Sequence, residues 1–72
     1  MKIHYYPETD SLYIDLSSQP GCETREISEG VALDYDASGS VVGIDIDHAS
    51  RKLDLKRLEV FKLPLDVQVF TA

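Results

Sequence analysis

The sequence predicts an α+β fold: an antiparallel β-meander of about five strands, covered by a short C-terminal helix and followed by an extended C-terminal tail. Three observations carry that prediction. Apolar residues recur at every second position in several short runs, which is the period of a half-buried strand. Short stretches rich in Gly, Pro, Ser and Asp separate those runs, as turns require. Leu55, Leu58 and Phe61 then fall at helical spacing ahead of Pro64.

The first run is Lys2 to Tyr6, where Ile3 and Tyr5 alternate with Lys2, His4 and Tyr6. Pro7 to Asp10 supplies a turn, and Leu12, Ile14 and Leu16 then alternate with Ser11, Tyr13 and Asp15. The phase sets Ile3 opposite Ile14 and Tyr5 opposite Leu12. Ser17-Ser18-Gln19-Pro20-Gly21 is an exposed connection. Cys22 to Ile27 has no clearly apolar face, which suits an edge strand or one paired across an interface. Gly30 to Asp47 holds the clearest hairpin, Val31-Leu33-Tyr35 and Val42-Ile44-Ile46 flanking Ala37-Ser38-Gly39-Ser40. Setting Leu33 opposite Ile44 and Tyr35 opposite Val42 puts all these large side chains on one face and the aspartates on the other.

An open sheet needs a cover for its apolar face, and the C-terminal third is expected to supply it, or a second subunit. Asp47, Ser50 and Asp54 are candidate caps, and the helix is expected over about residues 54–61. Leu65, Val67 and Val69 alternate with Asp66, Gln68 and Phe70 as a sixth strand or extended tail, a segment suited to pairing within the chain or with another one. The whole chain, 1–72, reads as a single small domain, with 1–47 as the meander and 48–72 as helix and tail.

Seventy-two residues lie near the lower limit for a self-sufficient core. Cys22 is alone, so no disulfide can close within one chain. Association is the remaining route to more burial, and a homo-oligomer, dimer or higher, is expected. Nothing resembles a signal peptide or a membrane span, and a free thiol without export signals favours the cytoplasm. The net charge of −6 is uneven. Residues 1–50 carry ten acids against Lys2 and Arg25, a net of −8, and residues 51–72 carry five bases against three acids, a net of +2. The acidic part repels phosphate and disfavours direct nucleic-acid binding. A basic protein partner suits it better.

The candidate functional residues are Asp34, Asp36, Asp45 and Asp47, which would steer such a partner, and Tyr6 and Tyr13, placed on the outer face where aromatics anchor interfaces. Tyr5 and Tyr35 fall on the core side. Arg51, Lys52, Lys56 and Arg57 form a basic set at helical spacing, more in keeping with a solvated helix face than with a nucleic-acid site. No catalytic, cofactor or metal residues are assigned. The rival reading is a small hydrolytic or metal-dependent enzyme using His48 with Asp45 and Asp47, or a ligand-binding module formed between subunits. A nucleophilic set of Cys22, His48 and Asp47 is a formal combination, but acids surround Cys22 and nothing activates it.

The blocks Tyr5-Tyr6-Pro7-Glu8-Thr9-Asp10-Ser11-Leu12-Tyr13-Ile14, Gly30 to Asp36 and Gly39 to Asp45 occur in an order and spacing that resemble a short bacterial family, domain of unknown function 2283, over about residues 1–50. The resemblance implies a compact β-meander with a helix. It also implies, from relatives that look like antitoxin partners of small ribonuclease-like toxins, a role in binding a basic protein. It brings no catalytic residues and no cofactor.

Overall fold

The computed structural model describes residues 1–64. Five strands form one antiparallel sheet: β1 Lys2–Tyr6, β2 Ser11–Asp15, β3 Glu23–Ser28, β4 Val31–Tyr35 and β5 Val41–Ile46. Their order across the sheet is β1-β2-β5-β4-β3. The fold class is thus the one the alternation predicts. Two consecutive-strand units, β1–β2 and β3–β4–β5, meet where β5 pairs with β2, and the connection after β2 carries the chain past β5 and β4 to the far edge at β3. That connection is pinned at its two ends, by Leu16 N–H to the Val42 carbonyl at 2.9 Å and by Cys22 N–H to the Tyr35 carbonyl at 2.7 Å. β3, the strand without an apolar face, is an edge strand as expected.

The paired positions build two distinct faces. Ile3, Ile14, Ile44, Leu33 and Arg25 are successive neighbours across the sheet, and Tyr5, Leu12, Ile46 and Val31 form the next row. The opposite face holds His4, Tyr13, Asp45, Ala32 and Glu26 in one row and Asp15, Gly43, Asp34 and Thr24 in another. The expected pairs Ile3–Ile14, Tyr5–Leu12 and Leu33–Ile44 are all present. At the edge, Arg25 stands 5.1 Å over the Tyr35 ring and its Nε is 3.0 Å from Glu23 Oε1.

One register differs from the simple alternation. Tyr35 faces Val41, not Val42, because the ladder shifts after Asp34. The cause lies in the loop. Asp36 Oδ1 accepts the N–H groups of Ser38 and Ser40, both at 2.9 Å, and the Ser38 hydroxyl at 2.7 Å. Gly39 takes φ +88°, a backbone conformation open to glycine. The Asp36 N–H donates to the Ser40 carbonyl, so the loop closes one residue early and a β-bulge absorbs the extra residue at Val42. Val42 therefore leaves the apolar row. A Cβ built on Gly21 would lie 4.0 Å from Val42 Cγ2 and 3.6 Å from Asp34 Cβ, so Val42 shares a side with Asp34 beneath the β2–β3 connection. It is 4% exposed, and among the described residues the other buried apolar side chain is Ala49.

The helix also lies elsewhere than expected. It is α1, Ala49–Lys52, a single turn ended by Leu53 in an extended conformation. Residues 54–61 make one Asp-initiated turn, Asp54 Oδ1 accepting the Lys56 N–H at 3.2 Å, and no helix. An eight-residue helix needs tertiary contacts to persist, yet its intended stripe is open to solvent, with Leu58 60% and Phe61 74% exposed. Neither Asp47 nor Ser50 caps α1. Its N-cap is His48 at φ 51°, with no side-chain bond of its own. The cap comes from the β1–β2 turn: Asp10 Oδ1 accepts the Ser50 N–H at 3.1 Å, Asp10 Oδ2 accepts the Ser50 hydroxyl at 2.7 Å, and the Asp10 carbonyl accepts the Ala49 N–H at 2.9 Å. This fixes α1 to one end of the sheet, where it is too short to cover the apolar face. The expected strand or tail over 65–71 lies outside the described residues.

Candidate functional site

The carboxylates predicted to act together are separated by the fold into three roles. Asp36 belongs to the β4–β5 loop, where the Ser38 hydroxyl and then the Ser40 N–H stabilise its charge and hold its pKa below the usual carboxylate value. Asp34 stands on the sheet and accepts the Tyr13 hydroxyl at 2.7 Å and the Thr24 hydroxyl at 2.5 Å. Asp45 and Asp47 are exposed. Together with Thr24, Glu26 and Ala32 they line a shallow hollow of about 280 Å³.

The Tyr13–Asp34 bond spans β5, because β2 and β4 lie on either side of that strand. The phenol can cross since the intervening residue is Gly43: a Cβ there would collide with the Tyr13 hydroxyl and come within 2.6 Å of Tyr13 Cζ. A glycine inside a strand marks such a close approach. Tyr13 is therefore half-buried and tied down, not the free aromatic anchor that strand parity suggests. Its hydrogen bond to Asp34, then burial, push its pKa up to about 12, because ionisation would set a phenolate against a carboxylate. Tyr6 keeps the expected outward place, 47% exposed and stacked on His4 with ring centroids 6.3 Å apart.

Asp45 titrates above its ordinary value. Partial burial comes first among the causes, followed by the like charges of Asp47 and Asp34. The Asp47 carboxylate accepts the Ser11 hydroxyl at 3.4 Å. The face thus concentrates negative charge around the hollow, a site suited to a cationic side chain.

The formal nucleophilic set of Cys22, His48 and Asp47 does not assemble. The Cys22 N–H bonds to Tyr35 at one end of β4, whereas His48 follows β5 at the other end, beside Asp10. A five-residue strand at ~3.3 Å per residue separates those ends. Among the described residues no group of three His, Cys, Asp or Glu side chains is placed to hold a metal ion. The basic set is divided as well: Lys52 Nζ donates to the Glu29 carbonyl at 2.9 Å, and the Arg57 guanidinium pairs with Glu59.

Two residues with structural command over this region escape the alternation argument, namely Gly43 and Asp10. The signal for Gly43 is a glycine between Val42 and Ile44 in an otherwise regular strand. Asp10 adopts φ 52° at the turn, a conformation that Asp tolerates better than most residues. The hydroxyls of Ser50 and then Tyr5 lower its pKa.

Among the described residues no helix is long and apolar enough to cross a membrane. No curated protein and no solved structure matches the chain. The sequence profile of the family described as a protein of unknown function (DUF2283) matches residues 2–50, a stretch that contains the whole sheet, the Asp10 turn and the start of α1. The chain belongs to that family of proteins of unknown function.

Proposed function

We propose that this domain is a protein-binding module that receives a basic segment of a partner on its acidic face, with an antitoxin-like role towards a basic toxin as its most concrete form. The supporting observation is the hollow bounded by Glu26, Asp45 and Asp47. Asp45 is raised by burial and by its acidic neighbours, so a Lys or Arg side chain entering the hollow relieves repulsion already present in the free protein. The wider field of the acidic face speeds encounter and sets orientation. Tyr6, exposed at the end of edge strand β1, two strands from β5, offers an aromatic contact beyond the hollow. Asp34 and Tyr13 are bonded to each other on this face, and Asp36 is engaged in the β4–β5 loop.

The test is co-purification from the native host at low and at high salt, with the unaltered chain and with Asp45→Lys/Asp47→Lys. A basic protein retained at low salt, released at high salt and lost with the double variant is the expected result. Recovery of the chain alone at low salt, or a companion indifferent to both salt and substitution, overturns the reading.

A further inference from the structure

We infer that the apolar face of the sheet is the contact surface for a second copy of the chain, giving a face-to-face β-sandwich dimer. Ile3, Ile14, Ile44 and Leu33 form a continuous row over four strands, and Tyr5, Leu12, Ile46 and Val31 form the row beside it. Among the described residues none of these side chains is buried: Ile3 is 49% and Tyr5 43% exposed, and the other six are half-buried. A contiguous apolar patch of this extent marks an interaction surface on a soluble domain.

Charge selects the occupant. The chain carries −6, yet the charged residues of β3 beside these rows, Glu23 and Arg25, neutralise each other in an ion pair. Asp15, Asp34, Asp45 and Glu26 stand on the opposite face. Two acidic molecules that meet through the neutral face hold their carboxylates outermost, separated by both sheets and the ~10 Å that packed sheets keep between them. Any other pairing of two copies through a broad face brings acid against acid or acid against hydrocarbon.

Size and symmetry agree. The molecule measures 31 × 30 × 19 Å, so its broad face matches the ~800 Å² per partner that a standard interface buries. β5 is the middle strand of five, which puts Ile44 near the centre of the face, where a twofold axis sets it against its own counterpart. The pairing leaves the acidic hollow open on both outer surfaces.

Sedimentation velocity of the full chain at micromolar to submillimolar concentration tests this. The expected result is a species of twice the 8.1 kDa chain mass, undiminished at high salt, because the contact is apolar. Ile3→Asp changes an exposed edge residue and leaves the sheet folded by circular dichroism. It weakens association by about tenfold or more, the factor that accompanies ~1.4 kcal/mol. Ile14→Asp, nearer the centre, weakens association further. A monomer throughout the range, an assembly of another size, or a dimer unmoved by Ile3→Asp overturns the inference. The salt response separates this outcome from that of the acidic face, whose partner leaves at high salt.

Discussion

On one face of the sheet, Tyr13 donates to Asp34 across β5 at 2.7 Å and Thr24 donates to Asp34 from neighbouring β3 at 2.5 Å. On the other, Ile14, Ile44 and Leu33 stand side by side at equivalent register, joined by dispersion and by the water they exclude. The polar face is fixed by direction and can be finished within one chain. The apolar face has no directional bonds and is completed by area, which 72 residues supply sparingly. The difference explains why hydrogen bonds tie the acidic face within one sheet, while the apolar rows reach at most half-burial among the described residues.

The sharpest way to break this comparison is to remove matched side chains from the two faces. Ile44→Ala is expected to cost about 2–4 kcal/mol if a second copy closes over it, within the range for buried Ile→Ala, and roughly half that if the face stays open. Thermal denaturation at several protein concentrations distinguishes the cases, since a dimer contact makes the midpoint rise with concentration.

Next in size is Gly43→Ala. The new methyl occupies the space of the Tyr13 phenol, so the ring swings away and its bond to Asp34 breaks. The expected loss is about 1.5–3 kcal/mol, the scale of one hydrogen bond to a charged acceptor. Ultraviolet titration gives an independent reading: the phenol that ionises at about 12 returns towards the ordinary 10.0. An unchanged titration would show that Tyr13 does not depend on the missing Cβ.

Tyr13→Phe keeps the ring and deletes the hydroxyl, at a cost of about 1.5 kcal/mol, the lower end for a bond to a charged acceptor, since no methyl displaces the ring. Its pH signature is specific. The folded-state pKa is raised from 10.0 to about 12, so the stabilisation is fully present below pH 10 and is lost as pH rises through 12. Urea unfolding across that window should show a decline in the unaltered protein that is shallower in the variant.

The same contrast decides what was legible in the sequence. Alternation reports which face a side chain takes, so Leu33–Ile44 and Ile3–Ile14 could be paired from parity alone, and β3 could be placed at an edge because it lacks an apolar face. Parity says nothing of interactions that depend on a missing atom or on a loop's internal bonds. Asp36 closes its loop one residue early and moves Val42 off the apolar row, a shift no period of two can encode. Tyr13 has outward parity, yet it is held down because Gly43 leaves room for it. The helical spacing of Leu55, Leu58 and Phe61 was real, but spacing forms a helix only where a surface accepts its stripe. Asp10 reaches α1 across forty positions of sequence, and only the folded turn brings them together.

The smallest predicted effect tests the acidic face by improving it. Burial and then the charges of Asp47 and Asp34 raise the Asp45 pKa above its usual value, so ionisation opposes folding. The sign follows from linkage: the penalty is absent below the unfolded-state pKa and grows as pH rises through the folded one. Asp45→Asn removes it, and the variant should be more stable than its parent at neutral pH by a few tenths of a kcal/mol, the scale expected at an exposed position. At pH 3, where the parent's Asp45 is protonated in both states, the two should melt together. A gain that persists unchanged at pH 3 would assign the effect to the amide's own contacts, and a loss at pH 7 would mean that Asp45 is held by a favourable partner instead of crowded by like charge. On the proposed reading the same substitution is expected to weaken capture of a cationic side chain in the hollow, so stability and binding should move in opposite directions. That opposition is expected where a charge is kept for a partner and not for the fold.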